Sequence, residues 1–309
     1  MFPILFNTNS LFSASIAAFR ARSACHPLLP RFMSPDDYCQ QKAAASGSSF
    51  YYSFLFLPPE RRRAITALYA FCREVDDAVD ETSDESVART KLAWWRKEIA
   101  AMLAGTPTHP VTKALQPHLA TYALDGKHLA AIIDGMEMDL NQTRYLDYPA
   151  LKRYCWHVAS VVGILSASIF GATRPETLAY AERLGLAFQL TNIIRDVGED
   201  ARKGRIYLPV NELQQFGVTA ADLLNARHNE NFEKLMAFQA GRAQNTYDEA
   251  FALLPKEDRR AQRPGLIMAS IYRTLLVEIE NDKYHVLEHR ISLTPLRKLW
   301  LAWKTYVRG

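Results

Sequence analysis

The sequence predicts an all-α protein. Apolar residues recur at helical spacing through almost the whole chain, strand signals are scarce, and two polar stripes step by threes and fours through otherwise apolar segments. Gly and Pro fall mostly between the periodic stretches, and no internal repeat or low-complexity linker divides them, so one large helical domain is expected. With 309 residues, 49% of them hydrophobic, the chain is long enough to bury a sizeable core.

Residues 1–33 read as an N-terminal extension. No acidic residue precedes Asp36, and Arg20, Arg22 and Arg31 lie among Ser and Ala. A transit- or signal-like peptide, a membrane-touching tail and a disordered stretch upstream of a start at Met33 all suit this composition, and the last is favoured. Its apolar runs are too short to span a bilayer. The helical domain, residues 34–292, opens with the apolar run Phe50–Leu57. Pro58-Pro59-Glu60 then reads as a helix start, and Arg61-Arg62-Arg63 as its solvated face. Further along this helix Tyr69, Arg73, Asp76 and Asp80 share one face.

Asp134 and Glu137 share a later helix face, whereas Asp139 points elsewhere and Met136 and Met138 read as core. Residues 154–173 contain no Asp, Glu, Lys or Arg and are nearly long enough to span a membrane, but Ser160, Gly163, Ser166 and Ser168 favour a buried helix. His157 has no partner at metal-ligand spacing and reads as a core or pocket-wall residue. Behind the apolar Leu184–Phe188 comes the second stripe, Gln189, Asn192, Asp196 and Asp200. Residues 293–309 form a basic amphipathic tail whose Trp300, Trp303 and Tyr306 suit the surface of an anionic membrane; a capping helix has the same pattern.

Stacking carboxylates on one helix face costs stability unless positive charge sits between them, and hard oxygen ligands at that spacing suit magnesium. A solvated face explains either stripe taken alone. Both, however, lie in segments that pack inward, where polar groups need partners. Arg73 and Arg195 sit inside the stripes, and Arg202, Lys203 and Arg205 follow the second. Acid and base at one locus fit a metal-bound polyphosphate, the carboxylates holding metal and the guanidinium forks neutralising phosphate.

Five ordered blocks carry a resemblance: Ser49-Phe50, Tyr69–Asp80, Gly135–Leu140, Tyr154 with Val158–Gly163, and Asn192–Asp200 running into Arg205–Pro209. Over about Ser34 to Arg290 the chain resembles the trans-isoprenyl head-to-head condensing enzymes, the squalene and phytoene synthases. Within them it is most similar to bacterial presqualene diphosphate synthases of the hopanoid pathway, on Gly47–Phe54 and Asp134–Tyr145. The resemblance implies an isoprenoid synthase fold with a central cavity between the helices bearing the two motifs. It implies magnesium, with manganese as a substitute, on Asp76, Asp80, Asn192, Asp196 and Asp200, with Asp77 and Glu199 supporting. Arg73, Arg195, Arg205 and Arg290 would face diphosphate, with Tyr69, Gln189, Tyr207 and Tyr272 beside them and Ser49 on a phosphate oxygen. Phe50, Phe54, Val158 and Phe188 match the prenyl cavity, although ordinary core accounts for them equally. Tyr154 matches a catalytic tyrosine, against which stands a buried structural tyrosine with a satisfied hydroxyl.

The implied reaction joins two farnesyl diphosphates into presqualene diphosphate. Alternatives are a phytoene or dehydrosqualene synthase, an NADPH-dependent squalene synthase, and a noncatalytic prenyl-lipid binder, which the intact aspartates argue against. NADPH is not expected; the missing Gly-x-Gly-x-x-Gly loop is weak support, because reductive members lack it too. Lipid-like substrates suggest a cytoplasmic enzyme in peripheral contact with the inner face of the membrane, handing product to squalene-pathway enzymes. A net charge of +4 with dispersed basic residues and no recognised motif argues against nucleic acid. Cys25, Cys39, Cys72 and Cys155 show neither zinc nor disulfide spacing and read as small buried thiols in a reducing compartment.

Overall fold

The computed structural model describes residues 33–45, 53–54, 56–82 and 84–308. Expectations for residues 1–32, Ser49 and Phe50 therefore lie outside the described residues. The described residues form helices joined by short connections and contain no strand; the sole bridge pairs Arg144 with Ile206. In chain order the α-helices are α1 (Pro35–Ala45), α2 (Pro59–Asp80), α3 (Glu85–Leu103), α4 (Pro110–Thr121), α5 (Gly126–Asn141), α6 (Tyr148–Cys155) and α7 (Val161–Phe170). There follow α8 (Pro175–Arg202), α9 (Val210–Gln215), α10 (Ala220–Leu224), α11 (Glu230–Leu253), α12 (Arg263–Asn281) and α13 (Pro295–Arg308).

Local chemistry sets many of these boundaries. Proline occupies the first turn of α2, α4, α6, α8 and α12, where its missing N–H costs nothing. Asp84, Asp125, Asp147 and Asn229 accept a backbone N–H at the starts of α3, α5, α6 and α11. The tripeptide Arg61-Arg62-Arg63 is more than a solvated face. Arg61 donates to the Phe170 carbonyl at 2.5 Å, satisfying an orphan acceptor at the end of α7, and Arg62 donates to the Leu57 carbonyl at 2.9 Å.

Helix α8 runs through the core, packed on α7, α11 and α12. Its crossing with α7 has no room for side chains: a Cβ on Gly163 would strike the Ala181 carbonyl, and one on Gly185 the Ala159 carbonyl. These contacts also make the two helices antiparallel. The segment expected as one buried helix is interrupted by a π-turn, Trp156–Ser160, between α6 and α7. The stretch Tyr148–Phe170 is long and apolar enough to cross a membrane, but it packs against α5 and α8. Cys39, Cys72 and Cys155 are buried free thiols.

Candidate active site

The second stripe lies inside the protein. Gln189, Asn192, Arg195, Asp196 and Asp200 are all buried on α8. Arg195 grips Asp196 with both arms of its guanidinium, at 2.8 and 2.6 Å, and Arg290 donates to the same carboxylate at 2.8 Å. Asn192 donates to the Gln189 side chain at 3.3 Å, which leaves Asn192 Oδ1 and Gln189 Nε2 without partners. Asp200 Oδ2 is likewise buried and unpartnered. Burial, then the neighbouring Asp196 charge, pushes the Asp200 carboxyl well above the usual carboxylate range.

The first stripe is pre-neutralised. Asp76 is fully buried and takes a 2.9 Å bond from Arg73, which also reaches Asp77 at 2.5 Å. Lys42 of α1 pairs with Asp77 at 2.8 Å and with Glu74 at 2.9 Å. Asp80 ends α2, and Arg205, just beyond α8, reaches its Oδ1 at 3.3 Å while Oδ2 stays buried without a partner. That pair joins the two stripes across the site.

Among the described residues no three His, Cys, Asp or Glu side chains converge into a ready metal cage. Arginines occupy the carboxylates instead. The fit to magnesium rests on what they leave free: Asp80 Oδ2, Asn192 Oδ1 and Asp200 Oδ2 are buried hard oxygens with no partner, the donor type a magnesium ion takes.

The aromatic and apolar residues expected around the site lie as follows. Tyr69 is buried and meets the ring of Phe54 edge-on at 6.5 Å. Val158 sits in the π-turn, against the α5 backbone at Gly135. Phe188 lines an apolar cavity and tilts over Tyr272 at 5.0 Å. Burial pushes the Tyr272 hydroxyl up to about 12, although the facing Arg195 charge opposes the shift. His157 is half-buried and bonds the Arg153 carbonyl at 2.8 Å, so it does not line that cavity. Asp134 and Glu137 pair with Arg96 of α3 at 2.6 and 2.7 Å, on the partly exposed α3–α5 face.

Two residues were missed. Asp139 is buried and accepts hydrogen bonds from Tyr207 at 2.7 Å and Tyr154 at 3.0 Å, beneath stacked rings of Tyr145, Tyr154 and Tyr207. Burial, followed by the Asp139 charge, holds the Tyr154 proton well above the ordinary tyrosine range. That favours the structural tyrosine over a phenolate base. The second is Lys298, on the buried side of α13. Burial and then the charges of Arg195 and Arg290 lower its ammonium to about 8, and among the described residues no carboxylate pairs with it. Arg195 and Arg290 thus meet at Asp196, and the Lys298 ammonium lies within reach of both guanidinium charges.

The cavity and its opening to solvent together hold about 620 Å³ of empty space. Gln189 and Asn192 lie at one end, and Phe170, Tyr180 and Gln262 close the other. Between them the lining is largely apolar, with Ser53 and Ser166 among it. At 1.5 Å of rise per residue, Tyr180 to Asn192 spans about 18 Å along α8. An apolar cavity that reaches Gln189 and Asn192, one helical turn from the buried Arg195 and Asp196, defines a helical enzyme class that handles a greasy chain with an anionic head.

The comparisons specify that class. The Squalene/phytoene synthase family model matches residues 43–297, and the chain belongs to this family. It is 36% identical over 279 residues to the phytoene synthase of Arthrospira platensis, covering 85% of this chain and 89% of the relative. Identity to the 15-cis-phytoene synthase of Synechococcus elongatus is also 36%, over 273 residues, with 84% and 89% covered. Among solved structures, a dehydrosqualene synthase in complex with ligand superposes with a TM-score of 0.78 at 28% identity, over 88% of this chain and 95% of that one. The squalene synthase HpnC from Alicyclobacillus acidocaldarius gives 0.72 at 28% identity, over 81% and 94%. The fold is the isoprenoid synthase fold and the activity class is head-to-head prenyl transfer.

Proposed function

We propose that the protein condenses two farnesyl diphosphates into presqualene diphosphate, with magnesium. The observation that carries this reading is the apolar cavity lined from Gln189 and Asn192 to Phe170 and Tyr180. A farnesyl main chain of twelve carbons, at about 1.5 Å per C–C bond in zigzag, projects to roughly 14 Å, and a geranylgeranyl chain of sixteen to roughly 19 Å. The stretch of α8 along the cavity, about 18 Å, exceeds the shorter chain and falls short of the longer.

Asp80, Asn192 and Asp200 would hold magnesium through their free oxygens, with Asp76 and Asp196 beside them. When bound, the metal neutralises charge on the departing diphosphate. Arg195, Arg290 and Lys298 converge to bind that diphosphate, and Arg73 and Arg205 release carboxylates to it as it binds. The C1–O bond of one substrate breaks and diphosphate leaves with the electron pair. The cavity wall excludes water from the allylic cation, and the 2,3-double bond of the second substrate attacks C1. Ring closure to the cyclopropane expels a proton from C1, which the released diphosphate accepts. Asp139, Tyr154 and Tyr207 order the wall beside Arg205. No step calls for NADPH. We place the reaction in the cytoplasm, with squalene-forming enzymes downstream.

A second reading, phytoene formation from geranylgeranyl diphosphate, is favoured by the identity to phytoene synthases. Product analysis with magnesium and each donor, with and without NADPH, separates the two. Presqualene diphosphate from the C15 donor alone, with or without NADPH, is expected. Preferential turnover of the C20 donor by the wild type would overturn the length argument. Phe170→Ala, which deepens the floor, should raise C20 turnover relative to C15.

A further inference from the structure

We infer that helix α13 docks the protein on an anionic lipid bilayer through a face the reaction does not use. The helix carries Arg297, Lys298, Lys304 and Arg308 and no carboxylate. Its inner side, Lys298, Leu301 and Ala302, is buried. Its outer side is apolar and faces water: Leu296 is 80% exposed, Trp300 53%, Trp303 57% and Val307 61%. Steps of four, three and four align these residues in one stripe about 16 Å long. Soluble monomers rarely leave such a contiguous patch open without a use.

The geometry fixes the stripe as an outer surface. Tyr306 stacks on Phe56 at 4.5 Å and lies 5.1 Å from the Arg263 guanidinium, which pins the far end of α13 to the body. Tyr306 is thereby held against the body at the edge of the exposed face, while the two tryptophans are turned out. Beside the stripe is an open groove of about 880 Å³ that includes Arg259, Arg273 and Lys304. Arg273 is paired with Asp248, whereas among the described residues no carboxylate pairs with Arg259 or Lys304. Lys304 also lies 4.7 Å from the Trp300 ring, at the junction of groove and stripe.

Charge selects the occupant. A second copy meeting this face about a two-fold axis would set a carboxylate-free cationic helix against itself. The chain's own first 32 residues offer Arg20, Arg22 and Arg31 and no acid, so they too lack complementarity. A bilayer surface bearing phosphate headgroups supplies both missing halves: an apolar boundary for Trp and Leu, and negative charge for Arg259 and Lys304. Lys298 puts the diphosphate site on the opposite side of the same helix, so docking does not obstruct it.

The test is flotation of the full-length protein with vesicles of phosphatidylcholine, with and without phosphatidylglycerol. Flotation with the anionic vesicles only, lost at high salt, is expected. Trp300→Ser combined with Trp303→Ser should weaken it about tenfold, and Lys304→Glu about fivefold, with unchanged thermal midpoints because these side chains are exposed. Turnover of detergent-dispersed substrate should stay unchanged. Failure of the wild type to float with anionic vesicles overturns the inference, as does equal flotation with neutral ones. A concentration-dependent dimer in ultracentrifugation that Trp300→Ser/Trp303→Ser dissolves would assign the face to a second copy. Acrylamide quenching that finds these tryptophans shielded without vesicles would assign it to the protein's own chain.

Discussion

The two acidic stripes have nearly the same spacing and opposite electrostatic states. On α2, Asp76 and Asp77 are met by Arg73 and Lys42, and Asp77 and Asp80 keep some access to solvent. On α8, Asp196 is shared between two arginines at full burial, and among the described residues no cation pairs with Asp200. The first stripe can therefore exist without metal, its arginine releasing a carboxylate when ligand arrives. The second is strained without one, since a buried acid beside another acid must hold a proton or find a cation. With magnesium bound as proposed, α8 would be the half that needs the cation and α2 the half that follows.

The largest effect should come from Asp196→Asn. It strips the shared partner from Arg195 and Arg290, and removing one member of a buried ion pair costs about 3–5 kcal/mol. Turnover should fall about a thousandfold and the thermal midpoint should drop with it. Asp80→Asn keeps the size of the side chain and weakens only a long, part-buried 3.3 Å contact with Arg205, so turnover should fall about a hundredfold while the midpoint moves less than for Asp196→Asn. Equal destabilisation by the two variants, measured by circular dichroism, would erase the contrast.

A smaller effect sharpens it. The Asp200 carboxyl is raised above its unfolded value, so its contribution is fully present below ordinary carboxyl pH and is lost as pH rises through the raised value. Without metal, the thermal midpoint should decline over that range by a few degrees. Magnesium should cancel the decline by taking the place of the proton, and Asp200→Asn should flatten the curve with or without metal. Scanning calorimetry across pH reads this directly; a wild-type profile indifferent to magnesium would count against metal at Asp200.

Much of this was legible in the sequence, and the rest was hidden for physical reasons. Tyr69, Arg73, Asp76 and Asp80 fall on α2, and Gln189, Asn192, Asp196 and Asp200 on α8, because helical spacing alone gathers them. Which carboxylate pairs with which arginine depends on contacts such as Arg290 to Asp196, 94 residues apart, and no local pattern encodes those. Asp139 was misjudged through its neighbours: comparison with Asp134 and Glu137 pointed it away from the site, yet it continues the buried face of Ile132 and Met136. The signal was a carboxylate on an apolar face. Lys298 carried a similar signal, sharing its helix side with Leu301 and Ala302.

Lys298 gives the smallest prediction, and it tests whether the cation excess beside α8 is used. Its folded value of about 8 lies below the 10.5 of an ordinary lysine, so between those pH values the unfolded chain holds more protons. Stability without ligand should therefore rise as pH climbs through that window, while affinity for diphosphate falls, because the ammonium that binds the anion is being lost. Opposite slopes for folding and binding are the signature of a charge held for a ligand. Lys298→Met keeps the length of the side chain and removes the charge, so it should weaken pyrophosphate binding about tenfold and abolish both slopes. Titration calorimetry with magnesium pyrophosphate on either side of pH 8 measures the effect. Unchanged affinity in the variant would leave Arg195 and Arg290 as the whole of the anion site, and would reduce Lys298 to a buried charge that α13 tolerates.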